Sequence, residues 1–422
     1  MQRNGWDLLA EAAPACRACG APGITGFLDL GCTPLADRLV AYDQLHATEP
    51  CFPLRVGCCQ RCSLVQLLET VPPRQLFCED YPYYSSVSDA WLAHSRRNVE
   101  GLIRDRGLDA NSRVVEIASN DGYLLQYYRD AGISVLGIDP AEGPARRAVA
   151  LGIPTRICFF DAELGRELAA SGVSADVVHA NNVLAHVPDP NDFLEGVSRI
   201  LKSDGCAVFE HPYLRDLMEH TQFDTIYHEH VCYFSVTSLD RLLRPHGLYL
   251  QDVTRLETHG GSIRSLVGRQ DTPSSRVTSM LSEEQQLGMN DPAYYRDFAG
   301  RVHLLCDELR ALLRDLRAGG YRIAAYGAAA KGSTLLQVAG IGTDSLDFVV
   351  DRNVHKHGKY MPGNHIPILP VGELEARMPD YTLLLSWNLG GEILEQQREY
   401  RRKGGRFVIP VPRPCVLQEN SV

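Results

Sequence analysis

No segment of this sequence approaches the roughly 20 consecutive apolar residues that cross a bilayer. The opening MQRNGWDLLAEAAPACRACG has no long apolar core behind its charges, so neither a membrane span nor an export signal is expected, and the chain is expected in the cytoplasm. Positive charge is also in short supply. With 42 Lys+Arg against 52 Asp+Glu the formal charge is −10, a field that repels a phosphate backbone and disfavours a nucleic-acid partner. The G-x-G-x-x-G of dinucleotide sites and the H-E-x-x-H of zinc peptidases are both missing.

What is present begins with cysteine. Of 13 cysteines, seven fall between Cys16 and Cys62, and in a large chain with no export signal reduced thiols on a metal fit better than disulfides. CRAC supplies Cys16 and Cys19, and CQRC supplies Cys59 and Cys62. Two such knuckles can aim four thiolates at one tetrahedral Zn2+ in a closed, structural shell. The intervening 39 residues are long for a zinc ribbon. Cys58 leaves the register open by one residue, Cys32 or Cys51 can substitute, and a redox dithiol is the plain alternative.

At 422 residues the chain has room for several cores. From about Asn111, SRVVEIASNDGYLL reads as strand, small-residue loop and helix, and ISVLGIDPA follows as a second strand ending at Asp139. A carboxylate there can accept from both ribose hydroxyls. The loop has no phosphate-binding glycine pattern. With Glu116 at the strand end, Ala118 and Asn120 in the loop and Gly122 entering the helix, it suits S-adenosylmethionine, which has no phosphate. RICFFDAEL brings Phe160, ADVVHANNVLAHVPDP brings Asn181 and Asn182, and a terminal hairpin LYLQDVTRLETHGGSIRSLVGR completes a seven-stranded sheet. A generic doubly wound domain with Asp139 as a solvated strand end is the bland alternative.

Past residue 280 a polar, helix-prone stretch with apolar residues at helical spacing ends at Gly319 and Gly320. YRIAAYGAAAKGSTLLQVAG, SLDFVVDRN, HIPILP, YTLLLSW and GRFVIPVP then alternate strand and helix as a second Rossmann-like sheet. Its first loop places Lys331 where backbone N–H groups and an ammonium can meet a diphosphate. A structural Gly/Ala turn competes with that reading, and the spacing is wrong for a Walker A loop.

Paired C-x2-C knuckles, then NNVLAHVPDP and IYHEH, then YGAAAKGS and DRNVHKHGKYMPG occur in one order. Over nearly all of its length the chain resembles the sugar C-methyltransferases of antibiotic biosynthesis, which act on dTDP-4-keto-deoxyhexoses and include C-3 enzymes for tetronitrose- and mycarose-type sugars. The resemblance implies an α/β protein in three parts. Residues 1–80 are expected to form a structural zinc module, 81–280 an S-adenosylmethionine domain, and 281–422 a helical connector with a Rossmann-like domain that holds the nucleotide sugar. It carries over Tyr81, His186, Tyr227, Glu229 and His230 as catalytic, with His230 the base, and Tyr83, Tyr84, Lys331, Lys356 and Tyr360 as substrate contacts. A monomer is expected.

Methylating carbon requires removing a carbon-bound proton. A 4-keto group acidifies C-3 and C-5, so a base near neutral pKa and a donor to the keto oxygen are needed, roles suited to histidine and tyrosine. If DTIYHEHVCYFS is locally extended, His228 and His230 share one side and can bind a metal, but no third ligand is evident. Methylation at C-5, an oxygen or nitrogen methyltransferase, and a zinc-module regulator bound to nucleic acid are the alternatives. The last has only the short basic patches SRRN and RRKGGR in its favour.

Overall fold

The computed structural model describes residues 14–77 and 83–418. Three sheets share them. The amino-terminal sheet pairs Ile24–Pro34 antiparallel with Cys51–Cys59, then Val65–Leu67. Its fourth strand is Cys232–Tyr233, contributed from the middle of the chain. The amino-terminal module is therefore not closed by its own sequence, a pairing that short-range pattern does not encode.

The central sheet has seven strands in the order Tyr249–Leu256, Ser262–Gly268, Leu201–Pro212, Ala175–Asn181, Arg113–Ile117, Ser134–Ile138, Thr155–Arg156. The last five run parallel, and the first two form the antiparallel hairpin at the edge. Parallel strands are covered on both faces, which is why Val114, Val115 and Ile117, or Val177, Val178 and Ala180, are apolar on successive positions rather than alternating. The helix Asp89–Arg106 starts where Ser88 accepts from the Trp91 N–H and stops at Gly107, whose φ of 64° is a left-handed cap.

The connector is two helices, Ser275–Gln286 and Phe298–Ala318. The second buries Val302, Leu305, Cys306, Leu309 and Leu313, one stripe at helical spacing. It leads to a six-stranded sheet ordered Ile368–Pro370, Val349–Asp351, Ile323–Tyr326, Tyr381–Leu384, Arg406–Ile409, Cys415–Val416, parallel except for the last strand. In both large sheets the strand order reverses beside the first strand, and ligands bind at such switch points. One apolar core runs through all three sheets, from Leu54 and Val56 through Phe209 and Phe234 to Leu309 and Leu383. Among the described residues no helix is long and apolar enough to cross a membrane.

Candidate active site and zinc centre

The two knuckles fold as matching turns. Gly20 follows Cys19 at φ 67° and Ser63 follows Cys62 at φ 63°, while Gly20 N–H bonds Cys16 O and Ser63 N–H bonds Cys59 O, both at 2.9 Å. All four Sγ atoms lie within 4.8 Å of one another, with Cys16–Cys62 at 3.4 Å and Cys19–Cys59 at 3.6 Å. Zn–S bonds of about 2.3 Å in a tetrahedron require S–S edges of roughly 3.8 Å, so the donor set fits zinc. Cys58 belongs to the core, and Cys32 and Cys51 are exposed, which fixes the register at Cys59.

Below this centre the module is tied to the central domain. The Arg17 guanidinium, between the first two cysteines, donates to Pro188 O and Thr70 Oγ1, and Asn191 Nδ2 donates to Arg17 O at 2.8 Å.

At the first switch point the loop turns left-handed at Ala118 (φ 53°), Asn120 (φ 49°) and Gly122 (φ 80°). Asp139 accepts from Asn120 N and Ala141 N, each at 2.8 Å, and burial raises its pKa to about 6. Each oxygen keeps a lone pair for a ribose hydroxyl. Asn120 is held from above, accepting from Ser85 N at 2.8 Å and donating to Tyr83 O. Ala118, Asn120, Asp139, Phe160, Asn181 and Asn182 line one cavity of about 1140 Å³. Glu116 and Gly122 do not line it. Glu116 is fully buried behind the loop, and burial raises its pKa well above the usual carboxylate range. A Cβ on Gly122 would meet Ile153 Cδ1 at 2.3 Å, so this glycine serves close packing.

The same cavity is lined by His186, Tyr227, Glu229 and His230. The segment Tyr227–His230 is a turn closed by His230 N to Tyr227 O at 2.9 Å, not an extended strand. Its side chains diverge. His228 Nε2 donates to Phe52 O and Pro53 O at 3.2 Å, tying the turn to the amino-terminal sheet, so His228 and His230 form no metal pair. His230 Nδ1 sits 2.8 Å from Thr225 O. A carbonyl only accepts, so Nδ1 carries the proton and Nε2 is the free lone pair, 2.8 Å from the Tyr227 hydroxyl, which donates to it. Burial, then His186, holds the His230 pKa well below 6.5, so the imidazole is neutral. Burial, then Glu229, raises the Tyr227 hydroxyl well above 10. His186 packs edge-on against His230, centroids 4.6 Å apart. Tyr81 lies outside the described residues.

The carboxy-terminal switch point lines the far part of this cavity with Asp351, Asn353, Lys331 and Lys356. Asp351 repeats the geometry of Asp139, accepting from Ala328 N and Asn353 N, each at 2.7 Å. The rule applied to Asp139, an acid at the end of the second strand, would have found it. Lys356 donates to Ala328 O at 2.7 Å. Lys331 also serves the domain junction, donating to His259 O at 3.0 Å and lying 5.0 Å over the Trp387 ring. Trp387 Nε1 in turn donates to Asp224 at 2.6 Å. The paired glycines of HGGS make room for this junction. A Cβ on Gly260 would sit 2.5 Å from Trp387, and one on Gly261 2.5 Å from Asp216. Tyr83 and Tyr84 line the cavity, and Tyr84 stacks on His355 at 5.1 Å. Tyr360 does not line it; its backbone pairs with Val40 at 2.9 Å both ways, joining the amino- and carboxy-terminal modules.

His259, in the HGGS segment that resembles the family's loop at the active-site rim, lines the cavity, and so do Asp37, Trp91 and His94, which no motif marks. Trp91 stacks on His94 at 4.9 Å, and His94 Nε2 meets the buried Glu210 at 2.8 Å. The second contact joins residues 116 positions apart, so no local motif signals it.

Three family models match in order: a putative zinc binding domain at 16–77, a methyltransferase domain at 92–253 and a C-methyltransferase C-terminal domain at 257–412. The C-methyltransferase NovU of Streptomyces niveus is 38% identical over 96% of this chain and 97% of its own. A ubiquinone biosynthesis O-methyltransferase of Vibrio cholerae is 26% identical over 23% of this chain and 40% of its own. Among solved structures, magnesium protoporphyrin IX methyltransferase of Synechocystis with bound SAM matches 47% of this chain and 89% of its own at 15% identity and a TM-score of 0.34.

Proposed function

Because the chain belongs to the C-methyltransferase family, with S-adenosylmethionine and zinc as its cofactors, we propose that it methylates C-3 of a dTDP-4-keto-deoxyhexose through an enolate. The observation that carries this reading is the Tyr227–His230 pair on a cavity shared by two nucleoside-type crevices. At about 1140 Å³ that cavity exceeds the roughly 300–1,000 Å³ of a single-ligand pocket, as two ligands require.

When bound, S-adenosylmethionine supplies an electrophilic methyl on a sulfonium. The protein's own work is at the proton. In the resting site the Tyr227 hydroxyl covers the His230 lone pair. Rotation of that hydroxyl toward the substrate's 4-keto oxygen does two things together: it frees Nε2 to take the proton from C-3, and it turns the tyrosine into the donor that holds the enolate oxygen. Thr225 O fixes the tautomer that makes this possible. The C-3 carbanion is the nucleophile for the methyl that bound S-adenosylmethionine would supply, with the neutral thioether as leaving group, and His230 returns its proton to solvent. General-base catalysis contributes typically about 10²- to 10⁴-fold, and one enolate donor about 10²- to 10³-fold.

The carboxy-terminal crevice suits the nucleotide. Asp351 is placed to accept from a sugar hydroxyl, and Lys331 and Lys356 supply positive charge for a diphosphate. The test is incubation with S-adenosylmethionine and a dTDP-4-keto-2,6-dideoxyhexose in heavy water, followed by mass spectrometry and NMR, with His230→Ala alongside. A methyl on C-3, lost in the variant, is expected. A methyl on oxygen or nitrogen, or no deuterium exchange and no methylation across several keto sugars, would overturn the reading.

A further inference from the structure

One loop of the amino-terminal module reaches the active site. After the strand Ile24–Pro34 the chain turns through Leu35, Ala36 and Val40, all buried. Val40 pairs with Tyr360 of the carboxy-terminal module, and nearby Glu49 accepts from Gly363 N at 3.0 Å and bonds His365 Nε2 at 2.6 Å. The segment is thus anchored at both ends against the other half of the molecule. At its centre Asp37 lines the same cavity as Glu229 and Lys356.

The local charges are unbalanced. Glu229 is 4% exposed and Lys356 7%. Among the described residues neither Asp37 nor Glu229 has a side-chain hydrogen bond, whereas Lys356 already gives one proton to Ala328 O. Asp37 is half-buried and Glu229 buried, and among the described residues neither is ion-paired to Lys356, so both carboxyls keep acceptor capacity that a donor entering the cavity can use. Burial is the main cause that raises both carboxyl pKa values; Lys356 opposes the rise in each, while Asp351 adds to that of Asp37 and Asp37 to that of Glu229.

We propose that Asp37 is a substrate residue supplied by the zinc-binding module: with Glu229 it forms a carboxyl pair that grips a hydrogen-bond-donating substituent of the sugar, a hydroxyl or an ammonium, and so sets which ring carbon faces Tyr227 and His230. This rests on the nucleotide-sugar reading above. Lys356, Asp351, Tyr227 and Tyr83 are the other ionisable groups facing the pair. The carboxylate belongs to a module whose metal does no chemistry, so that module acts on specificity as well as on stability.

The test uses the full-length, zinc-loaded protein with Asp37→Ala and Asp37→Asn, and 4-keto sugar nucleotides carrying hydroxyl, amine or hydrogen beside the reacting carbon. Asp37→Ala is expected to raise KM about 10-fold or more, as loss of a charged hydrogen bond does, and to lower kcat. It should leave S-adenosylmethionine affinity and one zinc per chain unchanged, while Asp37→Asn restores part of the loss. The penalty should vanish for the sugar carrying hydrogen, and whether it is larger for hydroxyl or for amine identifies the donor. Removing the Asp37 charge also lowers the Glu229 pKa, so the acid limb of kcat/KM should move to lower pH. Wild-type kinetics in Asp37→Ala, or an equal penalty on the hydrogen-bearing sugar, overturns the assignment alone. If the wild type methylates no keto-sugar nucleotide, the substrate reading falls and this assignment with it.

Discussion

The central and carboxy-terminal sheets present the same local device with opposite electrical surroundings. In each, an aspartate at the end of the second strand accepts from the first loop and from the residue two positions on: Asp139 from Asn120 and Ala141, Asp351 from Ala328 and Asn353. Beside Asp139 stands Asp121, whose charge adds to the rise in the Asp139 pKa, and S-adenosylmethionine is a sulfonium cation. Around Asp351 stand Lys331, Lys356 and Arg352, and a nucleoside diphosphate is an anion. On the function proposed above, each crevice takes a nucleoside, and the neighbouring charges decide which one it suits.

The sharpest way to separate chemistry from the two crevices is His230→Ala. Turnover should fall about 10²- to 10⁴-fold, while calorimetric titration with S-adenosylmethionine and with dTDP gives near wild-type affinities. Loss of either affinity would make His230 a structural residue.

The next largest effect is a crossed pair. Asp139→Asn is expected to weaken S-adenosylmethionine roughly 10-fold, about 1.4 kcal/mol, and leave dTDP unchanged, whereas Asp351→Asn should do the reverse. If both variants weaken the same ligand, the two crevices are not separate sites.

His228→Ala tests whether the amino-terminal sheet positions the turn Tyr227–His230. It removes the bonds to Phe52 O and Pro53 O, so kcat should fall several-fold with KM for S-adenosylmethionine and zinc content unchanged. Hydrogen exchange should rise selectively in residues 224–234. Unchanged exchange there would mean that the turn holds itself.

The smallest effect is in pH. Asp139 has a pKa raised to about 6, chiefly by burial, and its acceptor form is lost as pH falls through that value. S-adenosylmethionine affinity should therefore weaken a few-fold from pH 7 to 5.5, and Asp139→Asn should flatten the dependence. His230 adds no such step near 6.5, because it is neutral throughout that range.

What could be read ahead from the sequence follows range. The cysteine knuckles and the acid at Asp139 are set by spacings of a few residues or by one strand–loop–helix unit, and those spacings carry their own geometry. Tyr227 and His230 were legible as residue types. Their arrangement was not, because a turn rather than a strand sends His228 and His230 apart. Asp37, the Trp387–Asp224 bond and the strand Cys232–Tyr233 depend on chain segments meeting across 160 or more positions, and no local periodicity reports such meetings.

The strand Cys232–Tyr233 also puts synthesis on a clock. Val65–Leu67 offers an open edge from the moment it leaves the ribosome until its partner follows, 232 minus 67 or 165 residues later. At about 5–20 residues per second that delay is roughly 8 to 33 s. Throughout it, the cysteines can take their metal while an unpaired strand edge remains available to another nascent chain. A metal-loaded amino-terminal fragment is therefore a half-made sheet, and its safety during translation depends on the catalytic domain arriving to close it.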